Sequence, residues 1–343
     1  NAGSALEANN SAALAFITGN SAARALDQVS VGVVNSSSDV AFYIALTAGY
    51  FQQQGIEPKF ETFDSAARMI APLGGGQLDV GAGAVGAGLY NAVERGIDIK
   101  IVADKAHSAP QQSYISLMVR KSLVESGQVK SFADLKGRKV ALAGSGTGDS
   151  STLDRALKMG GAKGFEDAEV VYMGFSQQAA AFSNGAIDAS ITAEPSVALI
   201  EAAGHAVRFA AVGQIFPNQQ TAVVLYSGPF AKQRPDVARR FMKAYLLGVR
   251  DYNAALKDGK LTGSKGDAVI DLLVKYTTVK DVKVLRAMVP HATDNDAKPN
   301  FASLKNDYEF FLRHKLISEK VTVEQILDDS FRAAAQKELD AGK

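Results

Sequence analysis

One glycine-rich run constrains this chain more than any other feature. Gly74-Gly75-Gly76-Gln77-Leu78-Asp79-Val80-Gly81-Ala82-Gly83-Ala84-Val85-Gly86 reads as a turn, a short strand of small residues, and a loop feeding a helix at Leu89–Arg95. Glycine weakens a strand, so glycines at 81, 83, 86 and 88 imply that another backbone or a ligand comes close. The same grammar returns in Ser183-Asn184-Gly185-Ala186-Ile187-Asp188-Ala189-Ser190-Ile191-Thr192-Ala193-Glu194-Pro195.

The echo is in register with others. The strand pattern Val29–Val34 has a partner at Lys139–Ala143, and Asp39 opens a helix as Asp149 opens a later one. Glu57–Glu61 pairs with Ala168–Tyr172, and Gly76 with Gly185, each about 110 residues further on. Four landmarks in one order at one spacing predict two α/β lobes of the same design. The period is too long for a solenoid repeat.

Composition narrows the class. With 343 residues, 47% of them hydrophobic, the chain has material for about two domains. A formal charge of +1 with scattered Lys and Arg gives no nucleic-acid or membrane-surface footprint. Cysteine is absent, which removes disulfides, thiolate metal sites and thiol nucleophiles. No apolar run reaches the length of a membrane span. Residues 1–28 read as the remnant of a secretory signal: Ala12–Gly19 is a short apolar run, and Ala23-Arg24-Ala25 has the small-x-small form of a cleavage site.

Candidate ligand contacts fall on strand-to-helix loops. Ser36, Ser37, Ser38 and Asp39 follow the first strand, where open α/β sheets bind ligands and helix N-termini favour anions. Helix capping by Ser38 or Asp39 is the structural alternative. Phe42 follows on the helix. Gly83, Ala84 and Val85 form the second ligand-facing loop. A strand over 99–103 is expected to end in Asp104-Lys105-Ala106-His107, making His107 a further candidate. In the second lobe, Gly144–Ser151 is rich in N–H and hydroxyl donors, with Ser145, Gly146 and Thr147 at its centre. It lacks the Lys-Ser/Thr pair of a Walker loop. Gln177, at the start of a later helix, and Glu194 complete the set. The four histidines are isolated, so no metal site and no cofactor are expected.

Tyr114–Arg120 and Thr221–Ser227 read as two extended crossovers acting as a hinge. They divide the chain into a first, discontinuous lobe (29–114 plus 226–343) and a second lobe (115–225). Beyond Ser227 helices are expected from Arg234-Pro235-Asp236 onward, near 265–277, 280–288, 301–315 and 322–339, packed back on the first lobe.

These stretches carry a family resemblance. Val-Gly-Val-Val, Ala48-Gly49-Tyr50-Phe51 with Gly55-Ile56-Glu57-Pro58, Gly-Gly-Gln-Leu-Asp-Val-Gly-Ala-Gly, Phe132-Ala133-Asp134-Leu135-Lys136-Gly137-Arg138-Lys139-Val140-Ala141 and Ala181–Ala189 with Glu194-Pro195 occur in order over about 29–330. The set resembles the periplasmic substrate-binding proteins of ABC importers for sulfonates, taurine, nitrate and thiamine precursors. The resemblance implies a two-lobed type II periplasmic-binding fold that closes on a small molecule and docks on a membrane permease. It also implies that the loops at Ser36–Asp39, Gly83–Val85, Ser145–Thr147 and Glu194 line the cleft. There is no tryptophan to clamp a ligand, so aromatic contact passes to Phe42, Tyr43, Phe175 or Tyr114. With no cysteine, the iron-dependent suicide chemistry of the yeast pyrimidine-synthesising cousins and the cofactor linkage of porphobilinogen deaminases are unavailable.

Two functions follow as expectations. The first is a monomeric, exported, periplasmic solute-binding protein that closes on a small organic anion, a sulfonate or carboxylate, and delivers it to its permease. The second is an enzyme of lyase or dehydratase type on the same scaffold, with Asp149, Glu194 or His107 in acid–base roles.

Overall fold

The computed structural model describes residues 24–342, so the signal-like segment falls almost wholly outside the described residues. Two five-stranded mixed sheets form the framework. The first has the order β2-β1-β3-β10-β4, from β1 (Asp27–Val33), β2 (Ile56–Thr62), β3 (Val80–Gly83), β4 (Ile99–Ser108) and β10 (Gln219–Ser227). The second has the order β7-β6-β8-β5-β9, from β5 (Ile115–Arg120), β6 (Lys139–Leu142), β7 (Glu169–Tyr172), β8 (Ala189–Ala193) and β9 (Ala206–Ala211). The orders match strand for strand. β1, β2 and β3 run parallel as β6, β7 and β8 do, and one antiparallel strand, β10 or β5, sits fourth in each sheet.

The repeated Gly-spacer-aliphatic-Asp grammar has a local cause. Asp79 accepts from Ser30 N through Oδ2 at 3.0 Å, and Asp188 accepts from Lys139 N through Oδ2 at 3.0 Å. Each aspartate thus ties the start of the lobe's third strand to its first, satisfying an N–H the ladder leaves over. Gly76 and Gly185 turn the chain into these strands at φ 77° and 76°, a left-handed conformation that favours glycine.

Several expectations need correcting. β4 does not end at 103: it continues through Asp104, Lys105 and His107 to Ser108, paired with β10. Tyr114–Arg120 and Thr221–Ser227 are not free crossovers, because β5 and β10 are each hydrogen-bonded on both sides within their sheets. The chain passes between sheets at 109–114 and 212–218, and residues 219–225 pair within the first sheet.

The C-terminal helices pack on the first sheet. Helix Pro235–Ala254 buries Val237, Phe241, Tyr245 and Leu246 against Phe42 and Tyr43 of helix Val40–Thr47. The single helix expected over 322–339 is two, Val323–Ile326 and Ser330–Asp340. Between them Leu327 bridges Ile101, and Asp328 N donates to Ile101 O at 2.9 Å, so the tail is stapled along β4.

Candidate functional site

The carboxyl ends of β1, β2, β3, β6 and β7 feed loops into one cleft between the sheets, as the topology of open α/β sheets requires. The cavity there is small and partly open to solvent. The first lobe supplies Ser36 and Ser38 after β1, Asp64 to Ala66 after β2, and Gly83 and Ala84 at the end of β3. Gly144, Thr147 and Asp149 come from the loop after β6, and Phe175 from the loop after β7. Tyr114, Ile115, Thr221 and Ala222 close the floor where the sheets meet.

Local hydrogen bonds fix the serine wall. Ser36 caps the turn Ser37–Asp39: its hydroxyl accepts from Ser38 N at 3.2 Å, and Asp39 Oδ2 accepts from Ser36 N at 2.9 Å. Ser36 Oγ and Ser38 Oγ lie 2.9 Å apart, and Tyr114 Oη is 2.9 Å from Thr221 Oγ1. Three helices, Val40–Thr47 with its leading turn, Gly148–Met159 and Phe175–Ser183, begin at this cleft, so their partially positive ends converge on it.

Backbone contacts seal one side. Ala87 N donates to Gly146 O at 2.8 Å and Gly148 N to Val85 O at 3.1 Å, a short antiparallel bridge between lobes. A Cβ on Gly86 would stand 2.8 Å from Gly146 O. The close approach at Gly86 is therefore backbone on backbone, whereas Gly81 and Gly83 make room for the side chains of Leu73 and Ala66.

Of the residues singled out in the sequence, Ser36, Ser38, Gly83, Ala84 and Thr147 line the cavity. Asp39 and Ser37 stand just behind the wall. Asp39 is paired with Lys105, both buried, and Ser37 N donates to Glu194 O at 2.7 Å. Val85 and Gly146 serve the bridge through their carbonyls, while Ser145 is exposed beside it. Phe42 is not at the cleft: it is fully buried in the first lobe's core, its ring tilted against those of Tyr245 and Phe241. His107 lies along β4, its Nδ1 3.3 Å from Asp104 Oδ2, which holds its pKa up against burial. Gln177 is exposed and accepts from Gly174 N, capping its own helix. Glu194 is occupied: its carboxylate takes Arg208 Nη1 at 2.6 Å, Ala198 N at 3.0 Å and Val289 N at 3.1 Å.

The sequence reading passed over Asp64, Ser65 and Ala66. Their signal is positional, since Phe63-Asp64-Ser65 follows β2 as Asn35-Ser36 follows β1. Asp149 reads from the sequence as the opener of a helix and as an acid of the enzyme alternative, not as a ligand contact. It lines the cavity; among the described residues no group donates to its carboxylate, and burial pushes its pKa up to about 7.

Two like lobes facing one walled cavity make up a two-lobed α/β fold of the type II periplasmic-binding-protein kind. The chain belongs to the NMT1/THI5-like family, whose model matches residues 37–256. It is 25% identical over 332 residues, 92% of this chain and 90% of the relative, to a Bacillus subtilis protein named for binding aliphatic sulfonates. Similar solved structures include the periplasmic nitrate-binding protein NrtA of Synechocystis (TM-score 0.74, 13% identity, 91% of this chain and 89% of that one). Another is the ligand-binding component of an ABC-type import system from Staphylococcus aureus (TM-score 0.73, 16% identity, 90% and 99%). The desulfurization enzyme DszB also shares the fold (TM-score 0.60, 17% identity, 92% and 100%).

Proposed function

We propose that this protein is the solute-binding component of an ABC import system, closing its lobes on a small organic anion and presenting the closed form to a membrane permease. The observation that carries the reading is the cavity itself, walled by equivalent loops of both lobes and sealed by the bridge between 85–87 and 146–148. A ligand touching both walls favours the closed form by its differential contacts, and closure is the output. The division follows the sheets. Residues 24–108 with 219–342 move against 115–211 about the two crossings, 109–114 and 212–218. One copy encloses the cavity, so a monomer suffices.

The converging helix N-termini and the hydroxyls of Ser36, Ser38, Ser65 and Thr147 suit an acid group, and the sulfonate-binding relative points the same way. Export to the periplasm accords with the likeness to periplasmic proteins. Against the enzyme reading, Glu194 is committed to Arg208 and His107 lies off the cavity wall. DszB has been solved as a cysteine-to-serine mutant with biphenyl-2-sulfinic acid bound, whereas this chain has no cysteine.

The test is a thermal-shift screen of protein unfolded, stripped of ligand and refolded, against alkanesulfonates, nitrate, aromatic carboxylates and pyrimidines. Mass spectrometry of the ligand accompanies each hit. A saturable rise in melting temperature with the ligand unchanged is expected. Chemical turnover of the ligand would sink the transport reading.

A further inference from the structure

The cavity wall carries two formally charged side chains, Asp64 and Asp149, and both are acidic. No Arg, Lys or His is among its lining residues. Lys105 stands behind the serine wall, but its ammonium is buried and given to Asp39. An anion entering this cleft meets hydroxyls and helix ends and no basic side chain.

Asp149 is placed to be satisfied from outside the chain. It sits in the first turn of helix Gly148–Met159 and faces the cavity from the second lobe. The titratable groups around it offer it no cation. Asp307, on helix Phe301–Arg313, lies behind and takes Gln219 Nε2 at 3.4 Å through Oδ1. The Tyr114 hydroxyl is engaged with Thr221 and lies close to Ser38. Asp39 is paired with Lys105. Its carboxylate is partly exposed to the cavity and takes no donor among the described residues, so an N–H or ammonium group in the cavity would find an ionic acceptor there without displacing a contact of the protein's own.

We propose that the ligand presents an N–H or ammonium group to the Asp149 carboxylate, making Asp149 the residue that sets the specificity of the cleft. This rests on the solute-binding reading and deepens it. The acid end lies against Ser36, Ser38 and the first lobe's helix end, and the nitrogen end meets Asp149 on the second lobe. One molecule thereby bridges the two lobes. Phe175 and Tyr114 on the wall accommodate a flat ring between those ends.

The experiment uses pairs of probes that differ by one amino group: ethanesulfonate and 2-aminoethanesulfonate, propionate and 3-aminopropionate, benzoate and 4-aminobenzoate. Affinity is measured by calorimetry at pH 6 and pH 8 on the wild type and on Asp149→Asn, with the melting temperature of each ligand-free protein as the folding control. The expected result has three parts. The amino member of at least one pair binds at least tenfold more tightly than its partner. That preference is lost in Asp149→Asn, and the affinity rises from pH 6 to pH 8 as the carboxylate ionises. Equal binding within every pair, or tighter binding of the plain acid with affinity falling as pH rises, overturns the assignment and leaves solute binding standing: Asp149 would then act as a neutral acid donating to an anion. No saturable binding by any probe counts against the solute-binding reading and the assignment together.

Discussion

Arg208 holds Glu194 through a 2.6 Å contact, and together they grip the opposite lobe's tail. Arg208 Nη2 donates to Ala287 O at 3.1 Å, and Val289 N donates to Glu194 Oε1 at 3.1 Å. The pair lies in the second lobe and the segment 287–289 in the first, so one ion pair serves as an inter-lobe clamp. Burial raises the Glu194 pKa despite the guanidinium beside it.

Arg208→Ala leaves Glu194 buried and unpaired, which costs about 3–5 kcal/mol when a buried pair is broken from one side. The double variant Glu194→Gln with Arg208→Met removes both charges and recovers much of that loss. Urea unfolding of the two singles and the double closes the cycle. Additive losses, with no coupling between the sites, would show that the pair does not act as a unit.

Gly86 offers a test of closure that leaves the lobes intact. A methyl there meets Gly146 O at 2.8 Å across the cleft, and the obstacle is backbone, which cannot swing aside. Gly86→Ala should therefore break the two bridging hydrogen bonds, each worth about 1 kcal/mol. Ligand affinity should fall about tenfold or more, with the far-ultraviolet spectrum unchanged and the radius of gyration increased in X-ray scattering. An unaltered affinity would mean that closure does not need the bridge.

The repeat makes a paired prediction. Asp79 and Asp188 do the same work in the two lobes, so Asp79→Ala and Asp188→Ala should each destabilise by about 1–3 kcal/mol, the cost of leaving a strand N–H without its partner. Hydrogen exchange should locate each effect in its own lobe, at Ser30 N and Lys139 N. A loss confined to one lobe for both variants would contradict the equivalence.

That repeat was legible because its signals are local: glycine at positive φ, an aspartate at fixed spacing, and serines after a strand. Ser36, Ser38 and Thr147 were found for the same reason, since a loop at the carboxyl end of a strand must point at the cleft. What escaped the sequence was set by distant partners. Asp104 and Lys105 read as a loop, yet Asp104 takes Gln220 Nε2 at 2.7 Å and Asp294 N at 2.8 Å, and Lys105 finds Asp39. Tertiary pairing thus makes charged residues tolerable inside β4. Glu194 looked like a ligand contact for the converse reason: only the fold brings Arg208 and Val289 to its carboxylate. Phe42 shares its turn with the serine loop, but the helix rotates it into the core.

The carboxyls at the cleft also fix how stability responds to pH. Burial raises Asp149 from 3.8 to about 7, and burial raises Asp307 likewise to about 7, with the neighbouring Asp149 charge adding to it. In the unfolded chain both ionise near 3.8, so between 3.8 and 7 the folded protein holds protons that the unfolded chain has released. The slope of stability with pH is then negative: stability falls as pH rises through this window, by at most about 4 kcal/mol for each group and less where cavity water reaches Asp149. The carboxylates with lowered pKa, Asp27 beside Arg240 and Asp236 beside Arg240 and Arg239, act in the opposite sense below about 3.8; His291, whose pKa burial pushes well below 6.5, opposes the trend by about 1 kcal/mol between pH 5.5 and 6.5, less than the two carboxyls together contribute. The ligand-free protein should melt several degrees higher at pH 5.5 than at pH 7.5. Asp149→Asn with Asp307→Asn should flatten the profile, and because the two interact the double variant is the informative one. A ligand whose donor group binds Asp149 should reverse the slope, since the ionised carboxylate then has a partner in the native state alone. A wild-type profile that is flat, or that climbs with pH in the absence of ligand, would show that water already satisfies both carboxylates and that the cleft does not strain them.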